Sequence, residues 1–73
     1  MKRSQLKRED KEQIFTIIED SNWRPEDVDV DEASRLHRVI DCMLDNNLVP
    51  NHLEHRAKQV RYALKDRANL QSA

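Results

Sequence analysis

The sequence ASRLHRVIDCMLDNNLVPN, residues 33–51, predicts a helix, the end of that helix and the start of the next one. Its apolar side chains recur every three or four residues, which is the spacing of one face of an α-helix. These side chains are Ala33, Leu36, Val39, Ile40, Met43 and Leu44. Asn47 stands where helices commonly end on a left-handed residue, and Pro50 prevents the helix from continuing. A left-handed Asn47 would also let Leu48 reach back to Met43.

Acidic residues mark the start of this second helix. Asp29 followed by Glu32 fits a capping pair, and negative charge is favourable at the positive end of the helix dipole. The helix is therefore expected over residues 29–46. Just before it, the sequence PED, residues 25–27, is typical of one isolated helical turn.

A first helix is expected over residues 5–21. Its apolar stripe consists of Ile14, Ile17 and Ile18, with Phe15 at the edge. We expect this helix to end as the second one does, with Asn22 in the left-handed conformation. Trp23 would then fold back on Ile18.

A third helix is expected over residues 51–70, with Glu54 as the capping-box partner of Asn51. Its apolar stripe consists of Leu53, Ala57, Val60, Leu64 and Ala68. Two short connections join the three helices, so the whole chain is expected to form one compact all-α domain of three helices. Residues 1–4 and 71–73 are expected to be frayed tails.

The composition favours a helical domain and limits its environment. The 73 residues include no glycine and two prolines, which disfavours a turn-rich β protein. Cys42 is the only cysteine, so no disulfide can form within the chain, and we expect a cytoplasmic protein. No apolar run is long enough to cross a membrane, and MKRSQLKRED, residues 1–10, lacks the apolar stretch of a secretory signal. A core this small is marginally stable alone, so we expect a homodimer.

Two patterns that carry chemistry in other proteins do not meet their requirements here. DVDVDE, residues 27–32, alternates acids like a calcium loop, but Glu32 stands where glycine is needed and Arg38 where a glutamate ligand belongs. His52 and His55 are one turn apart, but zinc needs about four ligands. We find no nucleophile–base pattern and no glycine-rich phosphate loop. We therefore expect no enzymatic activity, no metal and no cofactor.

The third helix has a second face that is suited to binding. Lys58, Tyr62 and Lys65 follow one another at intervals of four and three residues, which places them on one strip. Tyr62 lies away from the core stripe, and Arg61 adds a further cation beside it. An exposed tyrosine among long cationic side chains is typical of an interface anchor. These four residues are the main candidate partner-binding site.

A second candidate surface lies on the second helix. Cys42 falls opposite the core stripe, beside Arg35 and Arg38. Cysteines are usually buried, so an outward-facing one indicates either a second contact surface or a redox-sensing thiol. We favour a contact surface formed by these three residues.

Charge is unevenly distributed along the chain and separates two classes of partner. Residues 19–50 carry nine acidic and three basic side chains, whereas residues 51–73 carry five basic and two acidic ones. The pI of about 6.3 is low for a nucleic-acid-binding domain, for which values above about 9 are typical. We therefore expect a protein partner. The alternative is a dimeric DNA- or RNA-binding regulator that uses the third helix and a basic N-terminal arm, residues 2–8.

These features together predict a small non-enzymatic regulator that acts by protein–protein binding. Adaptor, inhibitor and transcriptional modulator are the candidate roles. The expectation of a bacterial or phage origin is an analogy from size and composition, since compact regulators of this kind are common there.

Overall fold

The computed structural model describes residues 6–68, which form three α-helices and one short 3-10 turn. In chain order the elements are α1 (Arg8–Glu19), the 3-10 turn (Pro25–Asp27), α2 (Val30–Asp45) and α3 (Asn51–Arg67). No strand occurs within residues 6–68. The predicted all-helical class, the number of helices and the isolated turn at Pro25 are confirmed.

The core lies between the apolar faces of the three helices, and α2 packs against both of the others. Its buried side chains within residues 6–68 are all hydrophobic, and all except Val49, which lies between α2 and α3, belong to the predicted stripes. They are Ile14, Ile17, Ile18, Ala33, Leu36, Val39, Ile40, Met43, Val49, Ala57, Val60, Leu64 and Ala68. Phe15, Trp23, Leu44 and Leu53 pack against this cluster and remain partly exposed. The helical periodicity of the sequence therefore identified the core correctly, because removing these faces from water stabilises the fold.

The first helix is shorter than predicted. It spans Arg8–Glu19 rather than residues 5–21, because Lys7 and Asp20 have extended backbone angles; residue 5 lies outside the described range. The prediction of a left-handed Asn22 is wrong. The backbone N–H of Asn22 instead donates to Oδ1 of Asp20 at 2.9 Å, so an aspartate side chain forms the turn that ends α1.

The start of α2 agrees with the prediction to within one residue. The helix spans Val30–Asp45, and Oδ1 of Asp29 accepts a hydrogen bond from the backbone N–H of Glu32 at 2.8 Å. The predicted hydrogen bond between the side chain of Asp29 and the backbone of Glu32 is confirmed. The carboxylate of Glu32 turns away from the cap and bonds to Arg35 and Gln13 instead.

The end of α2 contains the left-handed residue that the sequence predicted. Asn47 has a φ of 57° and is the one residue with positive φ among residues 6–68. The backbone N–H of Leu48 donates to the carbonyl of Met43 at 2.9 Å, which satisfies an acceptor that the helix end leaves open. The predicted stop at Asn47 is therefore confirmed.

The start of α3 differs from the predicted capping box. The helix spans Asn51–Arg67, with Pro50 as its N-cap residue, and no side chain caps this end. Pro50 has a non-helical ψ of 150°, so Asn51 is already the first helical residue and its side chain does not act as the cap. Glu54 pairs with a lysine one turn further on. The predicted extension over residues 69–70 lies outside the described residues.

A guanidinium group joins α1 to α2 at the edge of the core. Nη1 of Arg35 lies 2.7 Å from Oδ1 of Asp10, and Nη2 donates to Gln13 at 2.9 Å and to Glu32 at 2.7 Å. Gln13 also donates to Glu32 at 3.1 Å. We call these four residues the Arg35 cluster. Each group in it is hydrogen-bonded, so the cluster fixes the rotation of α1 against α2 without leaving a polar atom unsatisfied.

Two arginines of α3 bind carbonyl groups at the end of α1 and in the segment between α1 and α2. Arg56 donates from Nε to the carbonyl of Ile18 at 3.3 Å and from Nη2 to that of Asp20 at 3.1 Å. Arg67 donates from Nε to the carbonyl of Val28 at 2.9 Å. The last carbonyls of a helix lack partners within it, so Arg56 completes the end of α1.

Candidate functional site

A groove of about 300 Å³ lies between α2 and α3 on the surface of the domain. Two of its lining residues, His37 and Asp41, come from α2. The other four come from α3 and are Lys58, Arg61, Tyr62 and Lys65. We call it the α2–α3 groove. All four residues of the candidate partner-binding site predicted on the third helix line this groove.

The rotation of α3 explains why these side chains face outward. Val60 and Leu64 are 1% and 0% exposed, respectively, and hold one side of the helix in the core. Tyr62 lies between them in sequence, about 200° around the axis from each, and is 75% exposed. The predicted exposure of Tyr62 is therefore confirmed. The residues that bury the helix and the residues that line the groove are separate sets.

The groove has more positive than negative charge, and its ion pairs are exposed. Nη1 of Arg61 lies 3.1 Å from Oδ1 of Asp41, and Nζ of Lys58 lies 3.7 Å from Oε2 of Glu54. Lys65 forms no ion pair with any residue of the described chain, 6–68. Exposed pairs contribute typically about 0.2–1 kcal/mol each, so a ligand can replace them at low cost.

His37 provides a polar group between the two helices. Partial burial lowers the pKa of its imidazole below the ordinary value, and the charges of Arg61 and Lys65 lower it further, while Asp41 acts in the opposite direction. The ring is therefore mainly neutral at pH 7. A neutral imidazole offers one hydrogen-bond donor and one acceptor, so His37 adds polarity to the groove without adding charge.

The sequence identified the α3 side of the groove but not the α2 side. His37 and Asp41 were not singled out, although a signal exists. Each directly follows a core residue of α2, Leu36 and Ile40, so both lie on the same flank of the apolar stripe. Which flank faces α3 depends on how the two helices dock, and a single helix does not contain that information.

The second predicted surface, Arg35 with Arg38 and Cys42, is divided in the structure. Arg35 makes its contacts within the Arg35 cluster described above. Arg38 is exposed, and Cys42 is partly buried with its Sγ 3.4 Å from Nδ2 of Asn46. Because the Arg35 guanidinium is engaged with α1, Arg38 is the arginine of this face that is available to a partner. A contact role for this face stays a prediction.

Other side chains that could bind a metal or react are dispersed. No set of three or more His, Cys, Asp or Glu residues within residues 6–68 is placed to hold a metal ion. His52 is exposed, and Nε2 of His55 lies 3.4 Å from the side-chain nitrogen of Gln59. In the same part of the chain, none of the helices has the length and apolar character needed to cross a membrane.

A second depression, of about 340 Å³, lies between the 3-10 turn and the end of α3. Its lining residues are Pro25, Glu26, Val30, Asp66 and Arg67. Arg67 is engaged with the carbonyl of Val28, and Val30 is 45% exposed. The charged groups here include two acids and one engaged cation, so this depression lacks the cationic character of the α2–α3 groove.

Comparison with known proteins gives no further assignment. No protein-family profile, no curated protein and no solved structure matches this chain.

Proposed function

We propose that this protein is a small non-enzymatic regulator that binds another protein through the α2–α3 groove. Adaptor, inhibitor and transcriptional modulator are the roles that this activity would serve, in the cytoplasm of a bacterium or a phage-infected cell. These roles share one physical requirement, which is a surface that binds a partner without contributing to the stability of the fold.

The single observation that supports the proposal is the position of Tyr62. Its ring is 75% exposed, although an aromatic side chain gains free energy by leaving water. Lys58, Arg61 and Lys65 line the same groove. Tyrosine and arginine are the residue types over-represented among those that dominate binding energy at protein interfaces. Tyr62 is therefore the proposed anchor of the interface, and the lysines form its rim.

The character of the groove favours binding over catalysis. None of its ionisable side chains is buried, whereas electrostatic catalysis depends on a site from which water is excluded. The ion pairs of Lys58 and Arg61 are exposed, and Lys65 has no ion pair within residues 6–68, so these cations are available to the groups of a partner. These features support a binding role without an enzymatic one.

Nucleic-acid binding is the second candidate, because three cations share the groove. Lys7 and Arg8 of the predicted N-terminal arm are exposed, Leu6 is partly buried, and residues 2–5 of that arm lie outside the described residues. Asp41 within the groove and the acidic residues of the segment 19–50 oppose it, since they repel phosphates. A protein partner remains the preferred proposal.

The proposal is tested by affinity purification from the source cells with tagged wild type and Tyr62→Ala, each with and without nuclease. We expect one protein to be retained by wild type after nuclease treatment and to be lost with Tyr62→Ala. Val30→Ala is the matched control, because it also removes exposed apolar surface but lies outside the α2–α3 groove.

Two results would contradict the proposal. Retention that disappears with nuclease, and that weakens steeply with salt, would identify a nucleic acid as the partner. Equal retention by wild type and Tyr62→Ala would show that the interface lies elsewhere, and the Arg38–Cys42 face of α2 would become the next surface to test.

A further inference from the structure

We infer that the partner presents an extended acidic segment to the α2–α3 groove, with alternate carboxylates against the cations of α3 and backbone N–H groups toward Asp41. This inference rests on the proposed function, because it assigns a ligand chemistry to the same surface. It adds the kind of segment that is bound, its spacing, and the class of macromolecule that is rejected.

The hydrogen-bonding groups of the groove require a ligand rich in acceptors. Lys58, Arg61, Tyr62 and Lys65 all carry N–H or O–H donors, and the three cations carry no acceptor. Arg61 uses Nη1 for Asp41, and its other N–H groups make no hydrogen bond within residues 6–68. Carboxylates form shorter and stronger bonds to such donors than neutral acceptors do.

The spacing of the cations fits an extended chain. Arg61 and Lys65 are four residues apart on α3, which is about 6 Å along the helix axis. Alternate residues of an extended peptide lie on the same side of the chain and about 6.6 Å apart. Acidic residues at alternate positions therefore meet Arg61 and Lys65 in register, and the long side chain of Lys58 reaches the next one.

Asp41 selects a peptide over a nucleic acid. Its Oδ1 lies 3.1 Å from Arg61, and a carboxylate has further acceptor positions on its two oxygens. A peptide supplies backbone N–H donors to those positions alongside its acidic side chains. A phosphodiester chain supplies acceptors without such donors in its backbone, so Asp41 repels it. His37, which is neutral at pH 7, accepts or donates one bond to a peptide group.

The first test measures binding of fluorescein-labelled peptides by anisotropy at low salt. The probe is a decapeptide that alternates glutamate and serine. Its control has the same composition, with five glutamates in a block followed by five serines. A thymidine oligonucleotide of the same net charge is the third ligand. We expect the alternating peptide to bind more tightly than both of the others.

Charge-neutral variants then locate the binding surface. Lys58→Gln, Arg61→Gln and Lys65→Gln should each weaken binding of the alternating peptide by between about 1.4-fold and fivefold, the effect typical of one exposed ion pair. Arg8→Gln is the matched control, because it removes the same charge from an exposed position on α1 and should leave binding unchanged. Circular dichroism confirms that each variant is folded.

Asp41→Asn tests the selection step directly. Removing this negative charge should narrow the ratio between peptide and oligonucleotide affinity. Both anionic ligands lose a repulsion, but only the peptide also loses a charged acceptor for its backbone N–H groups. An unchanged ratio would exclude Asp41 from selection. Amide chemical shifts of the labelled protein should change on peptide addition at residues 37–41 and 58–65, and changes confined to other residues would overturn the assigned site.

The inference fails if the oligonucleotide binds more tightly than the alternating peptide, or if the block peptide binds equally well. It also fails if Arg8→Gln weakens binding as much as Lys65→Gln, since binding would then follow net charge. These results are distinguishable from failure of the proposed function. If Tyr62→Ala loses the retained protein and the acidic peptide does not bind to wild type, the α2–α3 groove is still the interface. The inference that its ligand is an acidic segment is then wrong.

Discussion

Tyr62 and Leu64 are two residues apart on α3 and have opposite environments. Tyr62 is 75% exposed, and Leu64 is fully buried. Removing the leucine should therefore change the free energy of folding, whereas removing the tyrosine should change the free energy of binding. The leucine contributes to folding through packing, whereas the tyrosine is available to contribute to binding.

We expect Leu64→Ala to lower the free energy of unfolding by about 2–5 kcal/mol, because it leaves a cavity in a small core. Tyr62→Ala should change it by no more than roughly 0.5 kcal/mol, as is usual for exposed positions. If Tyr62 anchors the interface, Tyr62→Ala should also cost about 2 kcal/mol or more of binding. Urea denaturation and partner binding, measured on both variants, check these values.

The opposite pattern would contradict the assigned rotation of α3. A variant Tyr62→Ala that unfolds, beside a stable Leu64→Ala, would mean that the helix is turned by half a revolution. A Tyr62→Ala variant with unchanged stability and unchanged binding would leave α3 in place but remove the tyrosine from the interface.

Glu32 makes the stability of the domain sensitive to acid. Hydrogen bonds from Arg35 and Gln13 lower the pKa of its carboxyl below the ordinary value of 4.5, and burial offsets part of this. A lowered pKa in the folded state means that the unfolded state binds protons first as the pH falls. The stabilisation is therefore complete above about pH 5 and is lost as the pH falls through the folded pKa.

We expect Glu32→Gln to be less stable than wild type at pH 7 and to lose less stability between pH 5 and pH 3. Urea midpoints at several pH values across this range measure the effect. Glu12→Gln is the control, because Glu12 is exposed on α1 and its carboxylate has no ion pair within residues 6–68. Equal acid sensitivity in wild type and Glu32→Gln would contradict the role of the Arg35 cluster.

The helix ends show how much of each element the sequence determines. At Asn47 a left-handed stop was predicted and is confirmed, and it lets the backbone N–H of Leu48 bond to the carbonyl of Met43. At Asn22 the same prediction is wrong, since Asp20 two residues earlier offers a carboxylate to the backbone N–H. The two candidates for the turn compete, and Arg56, distant in sequence, supports the Asp20 turn through its bond to the Asp20 carbonyl.

We expect Asn47→Ala to destabilise the domain by about 1 kcal/mol, because an alanine at positive φ brings its Cβ close to a carbonyl oxygen. Asn47→Gly should be as stable as wild type or more stable, since glycine accepts this conformation readily. Thermal unfolding of both variants measures the difference.

Asn22 provides the comparison for this experiment. Its φ is not positive, so Asn22→Ala should be tolerated and Asn22→Gly should give no gain. If alanine were tolerated equally at both positions, the left-handed conformation of Asn47 would carry no energetic cost, which would contradict the proposed reason for the stop.

For the whole molecule, features that depend on residues close together in sequence could be predicted, and features that depend on distant residues could not. Helix faces depend on residues three or four apart, so the stripes and the α3 strip could be predicted. The inclusion of Asp41 in the groove depends on Arg61, twenty residues away, and on how α2 docks against α3. The Arg35 cluster likewise links residues 25 positions apart, so an arginine predicted to face a partner instead joins two helices.

The proposal of a homodimer belongs to this scale as well. Within residues 6–68 the core contains thirteen buried side chains, several of them alanine or valine, and no disulfide can form within the chain. Domains of this size commonly gain stability from a partner subunit. We expect sedimentation to give twice the mass of 8.7 kDa and the melting temperature to rise with protein concentration.

A species of 8.7 kDa whose melting temperature does not depend on concentration would contradict the dimer. Tyr62→Ala separates this question from partner binding. If the α2–α3 groove serves a different protein, this variant should dimerise as wild type does. If Tyr62→Ala is monomeric, the groove is the subunit interface.

The short connection between α2 and α3 has a consequence for the order of folding. Residues 46–50 separate these helices, so closing the loop costs little chain entropy. The contact between Arg56 and Ile18 joins residues that are 38 positions apart in sequence, and the contact between Arg67 and Val28 joins residues that are 39 apart. Contacts between near neighbours in sequence form sooner than distant ones. The α2–α3 hairpin should therefore assemble first and α1 dock last, and amide protons of α1 should exchange with solvent through an opening that leaves the hairpin intact.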